Sequence, residues 1–151
     1  MAVIGLETTI AAPIERCFDL TRDVATHLAS TARTRERVVA GRTAGLMEQG
    51  DEVTWEAVHL GLRRRLTVRI VRCERPHFLE DEQVRGPFVR FRHRHEFSEG
   101  ARGTLMVDQV DFASPLGPLG RAFDALYLER YLRAFLRERA DAIKRTAERA
   151  A

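Results

Sequence analysis

The sequence predicts an α+β fold: a curved antiparallel sheet of about six to seven strands wrapped on one long C-terminal helix, with two short helices after the first strand. Three observations predict it. Period-two alternation of apolar and polar residues recurs in short segments between Val3 and Ala113. Turns bearing glycine or proline separate these segments at hairpin spacing. Beyond Gly120 there is no proline or glycine, and apolar residues recur at three- and four-residue steps.

The elements follow in order. Val3 to Ile10 alternates, with Ile4, Leu6, Thr8 and Ile10 on one side, and reads as a strand. Pro13 suits the first position of a helix, where its missing donor is harmless. Ile14, Cys17, Phe18 and Leu20 then repeat at helical spacing, and a second short helix is expected over Val24 to Ser30. Arg35 to Gly41 is a weak strand candidate. Glu52 to Leu60 places Val53, Trp55, Ala57 and His59 on one face, and Gly61 makes a hairpin with a return strand carrying Leu62, Arg64, Leu66, Val68 and Ile70. Arg64 is the odd residue of that apolar face, either a ligand anchor or a side chain reaching out past the sheet end. Pro76 ends the strand.

His77 to Val84 reads as a strand whose facing the pattern leaves open: Leu79, Asp81 and Gln83 share one side, Phe78, Glu80, Glu82 and Val84 the other. From Gly86 to Phe97 the alternation is strict. Phe88, Arg90, Arg92, Arg94 and Glu96 form a wet face; Val89, Phe91, His93, His95 and Phe97 form a covered one. Two histidines thus stand where a plain core would carry Val, Ile or Leu. Ser98 to Gly103 reads as a loop, and Thr104 to Ala113 as a strand with Met106, Asp108, Val110 and Phe112 together. A hairpin centred near Gly100 and Ala101 puts His93 opposite Asp108, close enough for a hydrogen bond. The pair is either structural, giving a buried carboxylate its partner, or ligand-contacting, the carboxylate orienting the ring, raising its pKa and leaving the other nitrogen for a ligand carbonyl or phenol.

Ser114 to Gly120 reads as a linker, followed by the long helix, from about Gly120 to Ala147. Its stripe includes Phe123, Leu126, Leu132, Phe135 and Ile143 and drifts near Leu128, where a bend or a change of partner is expected. Leu126, Leu132 and Phe135 are expected to be buried against the sheet. A bent sheet gripping one helix leaves space between them, because a helix cannot fill a wide saddle. The expected lining of that space is Trp55, His59, Arg64, Leu66, Phe91, His93, His95, Met106, Asp108 and Phe135.

The Ile10-Ala11-Ala12-Pro13-Ile14-Glu15-Arg16-Cys17-Phe18-Asp19 start, the Asp81-Glu82-Gln83-Val84-Arg85-Gly86-Pro87-Phe88 turn, the Phe91-Arg92-His93-Arg94-His95-Glu96-Phe97 strand and the Asp111 to Gly120 close together resemble the START/Bet v 1-like (SRPBCC) superfamily. Within it the chain is similar to the bacterial ligand-binding and polyketide-cyclase-like subgroup, along essentially its whole length. Many relatives carry Trp where this chain has Phe91. The resemblance implies a helix-grip fold and an internal cavity for an apolar or aromatic small molecule, a lipid or a polyketide.

Composition sets the outer bounds. At 151 residues, 44% hydrophobic and 31% charged, the chain is expected to form one domain over 1–151. It has no apolar run near the ~20 residues that span a membrane. The N-terminus lacks a basic region followed by an apolar core, so no signal peptide is read and a cytoplasmic location is expected. Cys17 and Cys73 suggest two reduced thiols. The net charge of +3 is spread along the chain without a one-sign block, which argues against a nucleic-acid partner. A homodimer is compatible with the sequence.

Phosphate loops, nucleophile elbows and metalloprotease helices are absent from the sequence. His93 and His95 share a face about 7 Å apart, but two histidines fall short of a zinc set, and the third donor would have to be Asp108 or His59. No metal or cofactor is therefore expected. Three functions stay open: a non-catalytic binding protein; an enzyme using the same cavity for cyclisation, dehydration or related proton transfer; and a surface module using the basic sheet face.

Overall fold

Residues 2–149 are described by the structure, a computed structural model. The domain expected over 1–151 also takes in Met1, Ala150 and Ala151, which lie outside the described residues. The chain runs β1 (Ala2–Ile10), α1 (Ile14–Arg22), α2 (Val24–Ser30), β2 (Arg37–Gly41), β3 (Glu52–His59), β4 (Leu62–Glu74), β5 (Phe78–Arg85), β6 (Arg90–Gly100), β7 (Gly103–Ala113), α3 (Gly117–Phe123), a π-helical turn (Asp124–Leu128) and α4 (Glu129–Arg149).

The strands make one antiparallel sheet in the order β1-β7-β6-β5-β4-β3-β2. The first strand therefore pairs with the last, from Ala2 opposite Phe112 to Ile10 opposite Thr104. Alternation decides the faces. In β7 every second residue from Thr104 to Phe112 is buried, and in β1 Ile4, Leu6, Thr8 and Ile10 are. The arginine-rich outer face is laced with acids: Arg37 and Arg65 meet Glu56, Arg69 meets Glu52, Arg92 meets Glu82, and Arg94 meets Glu80.

The C-terminal helix packs across the concave side and also seals the β1 edge. Arg133, Arg137 and Lys144 donate to the carbonyls of Gly5, Glu7 and Thr9, which have no strand beyond them to pair with. Arg16 of α1 donates to the carbonyls of Thr146 and Ala147 near the helix C-terminus. Ile143 packs in a core with Ile10, Phe18, Phe97 and Met106, and Leu136 packs with Ile4, Leu6, Val110 and Phe112.

Four sequence expectations are corrected. The helix begins at Gly117, inside the stretch read as a linker. Pro118 sits in its first turn, and Asp124 Oδ1 and Oδ2 accept from Ser114 Oγ (2.5 Å) and Ser114 N (3.0 Å), tying the turn to the end of β7. Leu126 is 78% exposed rather than buried, because the π-helical turn rotates it outward. That turn is also the expected break near Leu128. Phe88 points inward and Val89 outward, the reverse of the strand pattern. Gln83 clamps the Phe88 backbone, donating to its carbonyl and accepting from its N–H, so the alternation starts only at Arg90. Finally, the β6–β7 hairpin turns on Ala101 and Arg102, with Gly100 paired to Gly103. This shifts the register by two residues: Asp108 lies opposite His95, and His93 lies opposite Val110. A shift of two keeps every side chain on its face.

The start of α3 leaves no room for a side chain at Gly120, where a Cβ would sit 2.0 Å from the Pro115 carbonyl oxygen. Gly120→Ala is expected to destabilise the protein by about 1–3 kcal/mol, as overpacking does, measurable by urea denaturation.

Candidate functional site

Between the sheet and the helix lies a cavity of about 560 Å³. Its exposed rim is apolar, with Leu60, Leu62, Leu116, Leu119 and Phe123 all lining it while remaining solvent-accessible. Aromatic groups form much of the wall. Phe88 lies 5.1 Å from Phe91, and His59 meets Phe135 edge-on at 5.3 Å. His59 Nδ1 also lies 2.7 Å from the Tyr131 hydroxyl, fixing the ring across the sheet–helix gap.

Eight of the ten residues expected at the site line this cavity: Trp55, His59, Arg64, Leu66, Phe91, His93, His95 and Phe135. Arg64 is exposed and without an ion pair among the described residues, which fits a side chain reaching past the sheet end. Met106 and Asp108 do not reach the cavity. Met106 is fully buried in the core, its sulfur 3.8 Å from the Thr21 hydroxyl, and Asp108 sits behind the two histidines.

Asp108 holds both rings. His93 Nε2 donates to Asp108 Oδ1 at 3.1 Å; His95 Nδ1 lies 2.6 Å from the same oxygen, off the angle of a hydrogen bond. The two rings lie 3.9 Å apart. Burial pushes the Asp108 carboxyl upward, but the pull of His95 and the hydrogen bond from His93 outweigh it and hold the group below its usual range. An ionised carboxylate can only accept, so the His93 proton sits on Nε2 and Nδ1 is left as an acceptor. The expected rise in the His93 pKa is reversed: burial, then the neighbouring His95, hold it below the usual 6.5 despite Asp108. Desolvation of a ring at 7% exposure outweighs one ion contact.

The structure settles the facing of β5. Asp81 pairs with His93 and turns inward with Leu79. Burial raises its carboxyl above the usual range against the pull of His93 and Arg139. Sequence reasoning missed three further groups in the wall. Arg139 is buried on the cavity side, with Nη2 donating to the Thr21 carbonyl and Nε without a hydrogen-bond partner among the described residues. Its place in the Leu132, Leu136, Arg139, Ile143 stripe was the signal that could have found it. His27 stacks on Trp55 at 3.9 Å and bonds Glu36 at 2.7 Å; nothing in the α2 pattern marks His27, and Glu36 lies just before β2, where the strand pattern is weak.

Burial lowers the pKa of His27, His59, His93 and His95 alike. Below an unfolded value of about 6.5 the unfolded chain binds protons that these rings resist, so stability falls as pH falls through that point. Urea denaturation in chelator-containing buffer is expected to show a lower midpoint at pH 5.5 than at pH 7.5 (about one unit either side of that value). An unchanged midpoint would contradict it.

The arrangement is the helix-grip fold of the SRPBCC superfamily. The chain belongs to the polyketide cyclase/dehydrase and lipid transport family, whose profile matches residues 1–148. No curated protein sequence matches it. Among solved structures it is similar to a protein from Thermus thermophilus, TTHA0849 (18% identity, 94% of this chain and 97% of that one, TM-score 0.73). It is also similar to a START superfamily protein from Mycobacterium smegmatis (14%, 99% of each chain, TM-score 0.72). At these identities the likeness shows the fold. No described helix is long and apolar enough to cross a membrane.

Proposed function

We propose that this chain is a single-domain binding protein for an apolar or aromatic small molecule, lipid- or polyketide-like, held between the sheet and α4. The observation that carries the reading is the cavity of about 560 Å³, apolar at its rim, aromatic along its walls and polar at its inner end. That volume and that mixture suit a drug-sized ligand with one polar end. His93 Nδ1, left as an acceptor, would take a hydrogen bond from a phenol, enol or carboxylic acid. The family's link to polyketides and lipids supports the same class.

Trp55, the only tryptophan, lines the cavity and reports on its contents. Titration with a panel of fatty acids, flavonoids and polyketides is expected to give saturable Trp55 quenching and a raised melting temperature for at least one class, with the molecule recovered unchanged. A panel silent in both readouts would contradict the reading. His93→Gln is expected to weaken the best binder by up to about tenfold, the worth of one hydrogen bond.

A further inference from the structure

By themselves His93 and His95 fall short of a metal site for want of a third donor. Asp81 supplies it. Its β5 position lies directly opposite His93, with the side chain on the cavity side. One donor atom from each of Asp81, His93 and His95 lies within 4.8 Å of the other two. A tetrahedral ion with bonds of about 2.0–2.2 Å draws its ligand atoms to about 3.4 Å apart, within reach of small side-chain rotations.

Two independent features fit an ion at this point. The Asp81 carboxylate has no hydrogen bond or ion pair among the described residues, although it lies in the cavity wall. Behind the histidines, Asp108 contacts Nε2 of His93 and Nδ1 of His95, leaving the other nitrogen of each ring without a hydrogen bond among the described residues. Metal-binding imidazoles almost always have such a carboxylate or carbonyl on the second nitrogen. The local charge agrees. Glu36, Asp81 and Asp108 stand in or behind the wall against one buried cation of the lining, Arg139.

We propose that Asp81, His93 and His95 form a divalent-metal site at the inner end of the cavity, with Asp108 as the carboxylate that fixes both rings. Two imidazoles and a carboxylate suit Zn²⁺, Co²⁺ or Fe²⁺ rather than Mg²⁺ or Ca²⁺. Three protein ligands leave a position open toward the cavity, where the ion would take a water or a ligand oxygen.

The test needs no organic ligand, so its outcome is separate from that of the binding reading above. Full-length, tag-free protein is stripped with a chelator and dialysed against Co²⁺ or Zn²⁺. One ion per chain is expected, with Co²⁺ giving the visible absorption of a low-coordinate site. Asp81→Asn and His93→Gln should each weaken binding at least about tenfold, and Asp108→Asn about 10–100-fold. Cys73→Ser should change nothing. Asp81 is half-buried and unpartnered, so Asp81→Asn keeps the fold, checked by circular dichroism, and decides the matter if the histidine variants unfold. Failure to bind one ion per chain, or equal affinity in folded Asp81→Asn, would overturn the proposal.

Discussion

Asp108→Ala is expected to destabilise the protein by about 1–3 kcal/mol, because it leaves the buried His93 Nε2–H without an acceptor. Asp108 is 4% exposed and serves His93 and His95 together. Asp108→Asn keeps an acceptor oxygen while removing the charge, and its loss should be smaller. At about 2–4 °C per kcal/mol for a chain of this size, the two variants separate clearly in thermal melts. Because Asp108 lies outside the cavity, ligand affinity should change less in Asp108→Asn than in His93→Gln. Equal stability of wild type and Asp108→Ala would show that the carboxylate does not hold the rings.

The second large effect is expected at Ile143. It is 1% exposed and packs α4 against Ile10, Phe18, Phe97 and Met106. Ile143→Ala should cost about 2–5 kcal/mol, toward the upper end because that cluster is close-packed. Leu136→Ala should fall toward the lower end, since Leu136 already borders the cavity and leaves fewer contacts to lose. Leu126→Ala, on the same helical stripe by sequence, should stay within about 0.5 kcal/mol. Urea denaturation of the three variants checks the order. A Leu126→Ala loss equal to that of Ile143→Ala would contradict the rotated turn.

The sequence revealed the elements and their faces because period two and period 3.6 survive wherever one side of an element is covered. Trp55, Phe91, His93 and His95 were legible as inward residues for that reason. What escaped it was local geometry. Glu99 and Gly100 look like loop residues, yet they continue β6 beyond the core, where polar side chains meet solvent on either face. The register therefore ran two residues off: His95 is the residue paired opposite Asp108, while His93 reaches the same carboxylate diagonally. Leu126 fits a helical stripe, but one π-helical turn displaces the stripe. Asp81 stayed ambiguous because β5 mixes acids and apolar groups on both faces, so only its pairing with β6 fixes which side turns inward.

If the space between sheet and α4 is a ligand cavity, filling it abolishes binding. Ala57 lines the cavity and is 5% exposed, so Ala57→Phe places a ring inside it. The apolar probe N-phenyl-1-naphthylamine is titrated into wild type and Ala57→Phe, reading probe emission and Trp55 quenching. Saturable one-to-one binding to wild type that is lost in a folded Ala57→Phe is the predicted result. No saturable binding to wild type, or equal binding to both proteins, would contradict it.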